Sequence, residues 1–175
     1  MTDVARPRLV VIGPPGSGKT TVGRAVAQAL GEPFVDVDEV VEQQQGRSIS
    51  DIFVDDGEAA FRELERAVCA ELLTRAAGVV SLGGGSVLDP RTEADLDGLA
   101  VAFLDVAIAD AAQRVGFAQS RPLLAVNPRA AWTQLMNARR PVYERVATLT
   151  VDTAGRSVDE VVADVLAALK EREQA

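Results

Sequence analysis

The chain predicts an α/β domain in which a five-stranded parallel sheet carries helices on both faces. Three observations predict it. Short apolar runs of strand type alternate with longer segments of helical periodicity. The first run, residues 9–12, is uniformly apolar and ends at Gly13, as expected of a strand buried on both faces. A glycine-rich loop then separates that strand from the first helical segment.

Each element follows in order. Residues 19–30 place Val22, Val26, Ala29 and Leu30 at helical spacing and stop at Gly31, which suits a left-handed C-cap. Residues 34–35 predict a second, short strand, and 38–45 a helix closed by Gly46. Ser48 is placed to cap a short helix, with Asp51 in the capping-box position. Residues 58–76 read as a long amphipathic helix. Residues 78–82 predict the third strand, broken by Gly83, Gly84 and Gly85, and 101–104 the fourth. A helix over 109–115 leads into 116–128, where periodicity gives way to turn chemistry and a mobile lid is expected. Residues 129–146 predict a helix that Pro141 should kink. A fifth strand at 148–151 and a closing helix at 157–170 complete the set.

At 175 residues the chain suits a single domain with a real core. Its net charge of −8 argues against a nucleic-acid partner, whose binding footprint is usually basic. Anionic ligands would need cations concentrated locally against that background. One cysteine, Cys69, excludes an intramolecular disulfide and agrees with a reducing cytoplasm. No run approaches the roughly 18 to 20 apolar residues that cross a bilayer, and residues 1–8 hold no signal-like run. A cytoplasmic protein with no membrane partner is expected. Histidine is absent, so a general base must be a carboxylate or a lysine, unless none is needed.

The loop Gly13-Pro14-Pro15-Gly16-Ser17-Gly18-Lys19-Thr20 matches the phosphate-loop pattern G-x-x-x-x-G-K-[ST] in its required strand–helix context. Its glycines let backbone N–H groups point inward as an anion nest, and the helix N-terminus adds its positive dipole end. Lys19 is expected on the β- and γ-phosphates of ATP and the Thr20 hydroxyl on Mg²⁺, with Thr21 next in the ATP-binding run. Pro14 and Pro15 stiffen the loop and remove two donors. No guanine-reading Asn-Lys-x-Asp motif is present, and a transporter-type signature is mimicked only loosely at 81–86.

Five clusters bear on the phosphate acceptor. Asp36 and Asp38 follow the second strand, where α/β sheets collect ligands. One carboxylate near Mg²⁺ and one at an acceptor hydroxyl would divide the work, or Asp38 caps the next helix. Arg62 and Glu65 share a helix face: either a surface ion pair or an arginine fork gripping a carboxylate, steadied by Glu65. Gly83, Gly84 and Gly85 form a flexible turn or a place where a ligand ring approaches the backbone. Arg121 on the lid could neutralise charge as water is excluded. Of Arg139 and Arg140, one could complete a carboxylate clamp while the other faces solvent.

Taken together, GPPGSGKT, DVD, RSISDIF, FRELE, SLGGG, RPLL and RRPVY, in that order, resemble the shikimate kinase family over residues 9 to about 169. The resemblance implies a three-layer P-loop fold of the nucleoside-monophosphate-kinase type, with a substrate-binding segment at about 36–65. It implies transfer of the ATP γ-phosphoryl group to the 3-hydroxyl of shikimate, on the route to chorismate and the aromatic amino acids, by a monomer. By motif matching, Asp38 holds the acceptor hydroxyl, and Asp36 reaches Mg²⁺ through water beside Thr20. Arg62 and Arg139 hold the substrate carboxylate, chosen over Arg140 on Arg-x-Pro spacing. Gly83, Gly84 and Gly85 meet the ring hydroxyls, and Arg121 is the lid arginine. Arg114 and Arg156 flank the adenine. The chain departs from the family at 155–158, where it lacks the proline often found near that turn.

Other readings are a gluconate-type sugar-acid kinase, a nucleoside monophosphate kinase and a catalytically idle ATP-binding module. The last should have lost Lys19, Asp38 or Arg121, and all three are present. Trp132 and Tyr143 as a nucleic-acid stacking platform conflict with the acidic charge, and packing suits them better.

Overall fold

The computed structural model describes residues 5–115 and 127–175. Five parallel strands form one sheet in the order β2-β3-β1-β4-β5. They are β1 (Leu9–Ile12), β2 (Phe34–Asp36), β3 (Val79–Ser81), β4 (Val101–Asp105) and β5 (Leu149–Asp152). The helices are α1 (Lys19–Leu30), α2 (Val37–Gln45), α3 (Ile49–Asp56), α4 (Glu58–Arg75), α5 (Pro90–Asp95), α6 (Ile108–Val115), α7 (Pro128–Val146) and α8 (Val158–Gln174).

The central strand explains its own composition. Val10 and Ile12 enter a core shared with α2, α4 and α7, while Leu9 and Val11 enter a second core with α1 and α8. Alternate side chains of a strand point to opposite faces, so burial on both faces requires an unbroken apolar run. The register sets Leu9 beside Val79 and Val10 beside Val101, which brings the C-terminal ends of β1, β3 and β4 to one edge. The phosphate loop, Asp36, the three glycines and Asp105 all leave the sheet at that edge.

The helix ends follow local chemistry. Gly31 and Gly46 take φ of 66° and 64° and close α1 and α2 in the left-handed conformation. Ser48 Oγ accepts from the Asp51 N–H at the start of α3. Ser157 and Glu160 form a reciprocal capping box on α8.

Beyond shifts of one residue at several ends and of four at the end of α8, three differences from the sequence reading stand out. Helix α2 starts at Val37, and its cap is Asp36, whose Oδ1 accepts from the N–H groups of Asp38 and Glu39 at 2.9 and 3.3 Å. Capping is therefore the work of Asp36, and Asp38 rides in the first turn. Helix α5 was not anticipated, because six residues are too few to show a period. Asp89 caps it and Pro90 opens it, the usual start signal. Helix α7 begins at Pro128 and continues past Pro141 to Val146. Most of the expected lid, residues 116–126 with Arg121, lies outside the described residues, as does the Arg114 side chain.

Candidate active site

The phosphate loop is shaped by glycines that a side chain could not replace. A Cβ on Gly13 would stand 2.6 Å from the Leu104 carbonyl oxygen and 2.8 Å from Ser17 Oγ. Gly18, with φ 86°, precedes α1 without a side-chain cap, which leaves first-turn N–H groups to an anion. The Lys19 ammonium donates to the carbonyls of Gly13 at 2.9 Å and Pro14 at 3.1 Å. Thr20 Oγ1 donates to Asp36 Oδ2 at 3.1 Å. The loop opens on a cavity of about 500 Å³ lined by Gly16 to Val22, Asp36, Asp38, Leu82, Thr153, Arg156, Ser157, Val158 and Val161.

Beside it lies a cavity of about 520 Å³, whose lining includes Glu58, Arg62, Glu65, Gly85, Ser86 and Arg139. Arg62 Nη1 donates to Glu65 Oε1 at 2.9 Å, and Glu65 is only 3% exposed. The pair is therefore half buried rather than a surface bridge. Arg139 is 5% exposed, and its Nε has no hydrogen-bond partner among the described residues. Desolvating a guanidinium donor is costly unless a ligand completes its bonds.

The glycine triplet runs from Leu82, which lines the first cavity, to Gly85, which lines the second. A Cβ on Gly83 would stand 2.8 Å from Glu65 Oε2 and 2.9 Å from Asp38 Oδ1. On Gly84 it would meet Arg139 Nη1 at 3.0 Å, and on Gly85 the Arg62 guanidinium nitrogens at 2.6 and 2.7 Å. Each glycine thus makes room for a charged group, in addition to any ring a ligand brings. None of the three has the positive φ that would itself favour glycine.

The two neighbouring arginines part company. Arg140 turns to Asp105 and forms a two-pronged pair at 2.8 and 2.9 Å, while Arg139 faces the cavity. Arg156 lines the nucleotide-side cavity, but its guanidinium is engaged by Asp164 at 2.8 Å and by two backbone carbonyls. Cys69 is fully buried and burial pushes its thiol up to about 12, so it is inert as a nucleophile.

Sequence reasoning missed two side chains that hold the site. Tyr143 Oη donates to the Gly84 carbonyl, and Trp132 Nε1 donates to the Pro15 carbonyl at 3.0 Å. Both lie on one buried stripe of α7, Trp132-Met136-Arg139-Tyr143, whose helical spacing was the signal that could have found them.

The family model for shikimate kinase matches residues 15–170. The shikimate kinase of Thermobifida fusca (strain YX) is 53% identical over 156 residues, covering 89% of this chain and 91% of that protein. That of Streptomyces coelicolor (strain ATCC BAA-471 / A3(2) / M145) is 46% identical over 170 residues, 97% of this chain and 99% of the relative. Among solved structures, shikimate kinase from Acinetobacter baumannii in complex with shikimate superposes with a TM-score of 0.92 at 32% identity, covering 99% and 97% of the two chains. A gluconokinase from Sinorhizobium meliloti 1021 shares the fold at a TM-score of 0.60 and 24% identity, over 96% and 93% of the chains. By the extent of the family match and the identity of these relatives, the chain belongs to the shikimate kinase family.

Proposed function

We infer that this chain transfers the γ-phosphoryl group of ATP to the 3-hydroxyl of shikimate, giving shikimate 3-phosphate and ADP. One observation carries the reading of the site. Two arginines from different helices, Arg62 and Arg139, face one cavity across Gly84 and Gly85, and Asp38 lines the phosphate-loop cavity and lies against Gly83, as Glu65 of the acceptor cavity does.

Each residue then has a task. The backbone N–H groups of the loop, which Pro14 and Pro15 lack, and the open N-terminus of α1 take the phosphates, with Thr21 behind them. Lys19 exchanges its loop carbonyls for phosphate oxygens. Arg62 and Arg139 take the acceptor carboxylate, Glu65 fixing the Arg62 fork and the free Nε of Arg139 completing the grip. Asp38 receives the acceptor hydroxyl and orients it in line, which is most of what phosphoryl transfer needs from a protein. Gly83, Gly84 and Gly85 let the ring lie against the backbone.

The donor set suits a hard cation. Thr20 Oγ1 and Asp36 Oδ2 lie 3.1 Å apart beside the loop, and Asp36 uses its other oxygen for the helix cap. Thr20 directly and Asp36 through water would hold Mg²⁺. Bound there, the ion would supply neutralisation of the phosphate charge. By motif matching, Arg121 in the expected lid takes the charge between the substrates, and Arg114 and Arg156 the two sides of the adenine. Because the Arg156 guanidinium is engaged by Asp164, its share is packing rather than charge. We read the protein as a single-domain monomer of the reducing cytoplasm. Among the described residues no helix is long and apolar enough to cross a membrane.

A coupled ADP-release assay with Mg-ATP against shikimate, quinate, gluconate and nucleoside monophosphates tests the reading. Shikimate should dominate the panel. Turnover that favours gluconate, or that ignores added shikimate, would refute it.

A further inference from the structure

Trp132 is the only tryptophan in the chain, and it is 5% exposed on α7. Its indole N–H points at the Pro15 carbonyl, 117 residues away in sequence, at 3.0 Å. A buried indole donor ordinarily finds a partner, but this partner lies on the phosphate loop. The loop turns its N–H groups toward the phosphates, so its carbonyls turn outward and need donors of their own. Gly13 and Pro14 receive theirs from Lys19, and Pro14 another from the Ser17 N–H. Those donors belong to the loop or to α1, whereas the donor to Pro15 comes from across the site. When Lys19 turns to a phosphate, the bond from Trp132 still ties the loop to α7.

The other side of Pro15 faces the acceptor wall. Its Cδ lies 3.5 Å from where a Cβ of Gly84 would be, and Arg139 Nη1 lies 3.0 Å from that same point. Trp132 and Arg139 are seven residues apart, two turns on one face of α7, so the helix fixes their separation along its axis at about 10 Å. We propose that Trp132 is a positioning residue for phosphoryl transfer: its indole N–H holds the outer face of the phosphate loop in register with the helix that presents Arg139 to the acceptor. The assignment rests on the reading of Arg139 as acceptor clamp. It goes further by making one helix face responsible for the distance between donor and acceptor.

The test replaces the donor and keeps the shape. Trp132 is exchanged for benzothienylalanine, which has sulfur in place of the N–H, with Trp132→Phe as the genetically simple companion. Turnover, melting temperature and the dissociation constants of shikimate and MgADP are then compared with the native protein. The proposal expects kcat to fall about ten- to a hundredfold, the size of a sub-ångström to ångström misplacement. The shikimate constant should stay within about twofold, because Arg62 and Arg139 are untouched. An unchanged kcat in the sulfur analogue overturns it. So does a shikimate constant that rises as far as kcat falls, which would mean a disturbed clamp.

Emission from this single indole supplies an independent reading. MgADP titrated into the native protein should shift it, since the nucleotide fills the loop whose carbonyl the indole holds. If the native chain releases no ADP in response to shikimate, the functional reading is what fails. The emission titration then decides the positioning role alone, and a silent indole overturns it.

Discussion

Gly85→Ala isolates the acceptor clamp from the rest of the molecule. Gly85 has φ −101° and ψ −2°, a conformation open to alanine without strain. The new methyl would stand 2.6 and 2.7 Å from the two terminal nitrogens of Arg62 and 2.8 Å from the carbon between them. Those atoms are the far end of a flexible side chain, so the guanidinium yields and the backbone does not. To reach ordinary contact it must retreat by about 0.8 Å, which breaks its hydrogen-bond geometry to any carboxylate bound there. Losing a charge-assisted hydrogen bond costs about 1.5 to 3 kcal/mol, or roughly a 10- to 150-fold weaker acceptor affinity. Folding stability should hold or rise slightly, because alanine restricts the unfolded chain. Titration calorimetry with shikimate, run beside MgADP and a thermal melt, separates these effects. A Gly85→Ala protein that binds shikimate as tightly as the native one would refute the placement of the clamp. A loss shared equally by MgADP would refute its separateness.

Four further perturbations probe other parts of the account. Asp38→Asn should reduce kcat steeply while MgADP affinity is retained, as the phosphate loop is untouched; stopped-flow turnover and calorimetry read the two, and undiminished turnover removes Asp38 from the mechanism. Arg139→Ala should weaken shikimate binding at least tenfold, by about 1.5 kcal/mol or more. Arg140→Ala, in a pair with Asp105 that is more than a third exposed on the arginine side, should cost about 0 to 1 kcal/mol of stability and leave shikimate binding within a few-fold. Equal losses from both would show that the two arginines had been assigned wrongly. Finally, burial raises the Cys69 thiol from 9.0 to about 12 in the folded state. Its stabilising share is therefore complete below about pH 9 and is lost as pH rises toward 12, at up to about 1.4 kcal/mol per pH unit. Urea midpoints at pH 8 and 10 should fall less for Cys69→Ala than for the native protein, and equal falls would contradict this.

Much of the fold was legible because one physical cause decided each feature. Strand β1 is buried on both faces, and only an unbroken apolar run satisfies that. The phosphate loop was legible because its spacing encodes a backbone conformation rather than a set of distant contacts. That Asp36 rather than Asp38 caps α2 was not legible. Val37 between them fits either a strand or a helix, and a two-residue shift of that boundary moves the cap from one aspartate to the other. The glycine triplet was assigned to ligand approach, but its wider cause lies in Asp38, Glu65, Arg139 and Arg62, which arrive from three different helices. No local pattern carries that information.

The choice between Arg139 and Arg140 shows where phase matters. Adjacent helical residues point about 100° apart, so only one can face the cavity. Trp132, Met136 and Tyr143 fix that phase once they are read as one buried stripe. The sequence reading set the two aromatics aside as packing and so lost the rule that selects Arg139. Arg121 and Arg114 rest on motif matching alone, since 116–126 and the Arg114 side chain lie outside the described residues.

A crystal structure with shikimate and MgADP bound would bear on the whole scheme at once. Arg62 and Arg139 should close on the shikimate carboxylate from opposite sides, with the 3-hydroxyl within hydrogen-bond reach of Asp38 and turned toward the phosphate loop. A carboxylate held elsewhere, or a hydroxyl beyond the reach of Asp38, would contradict it.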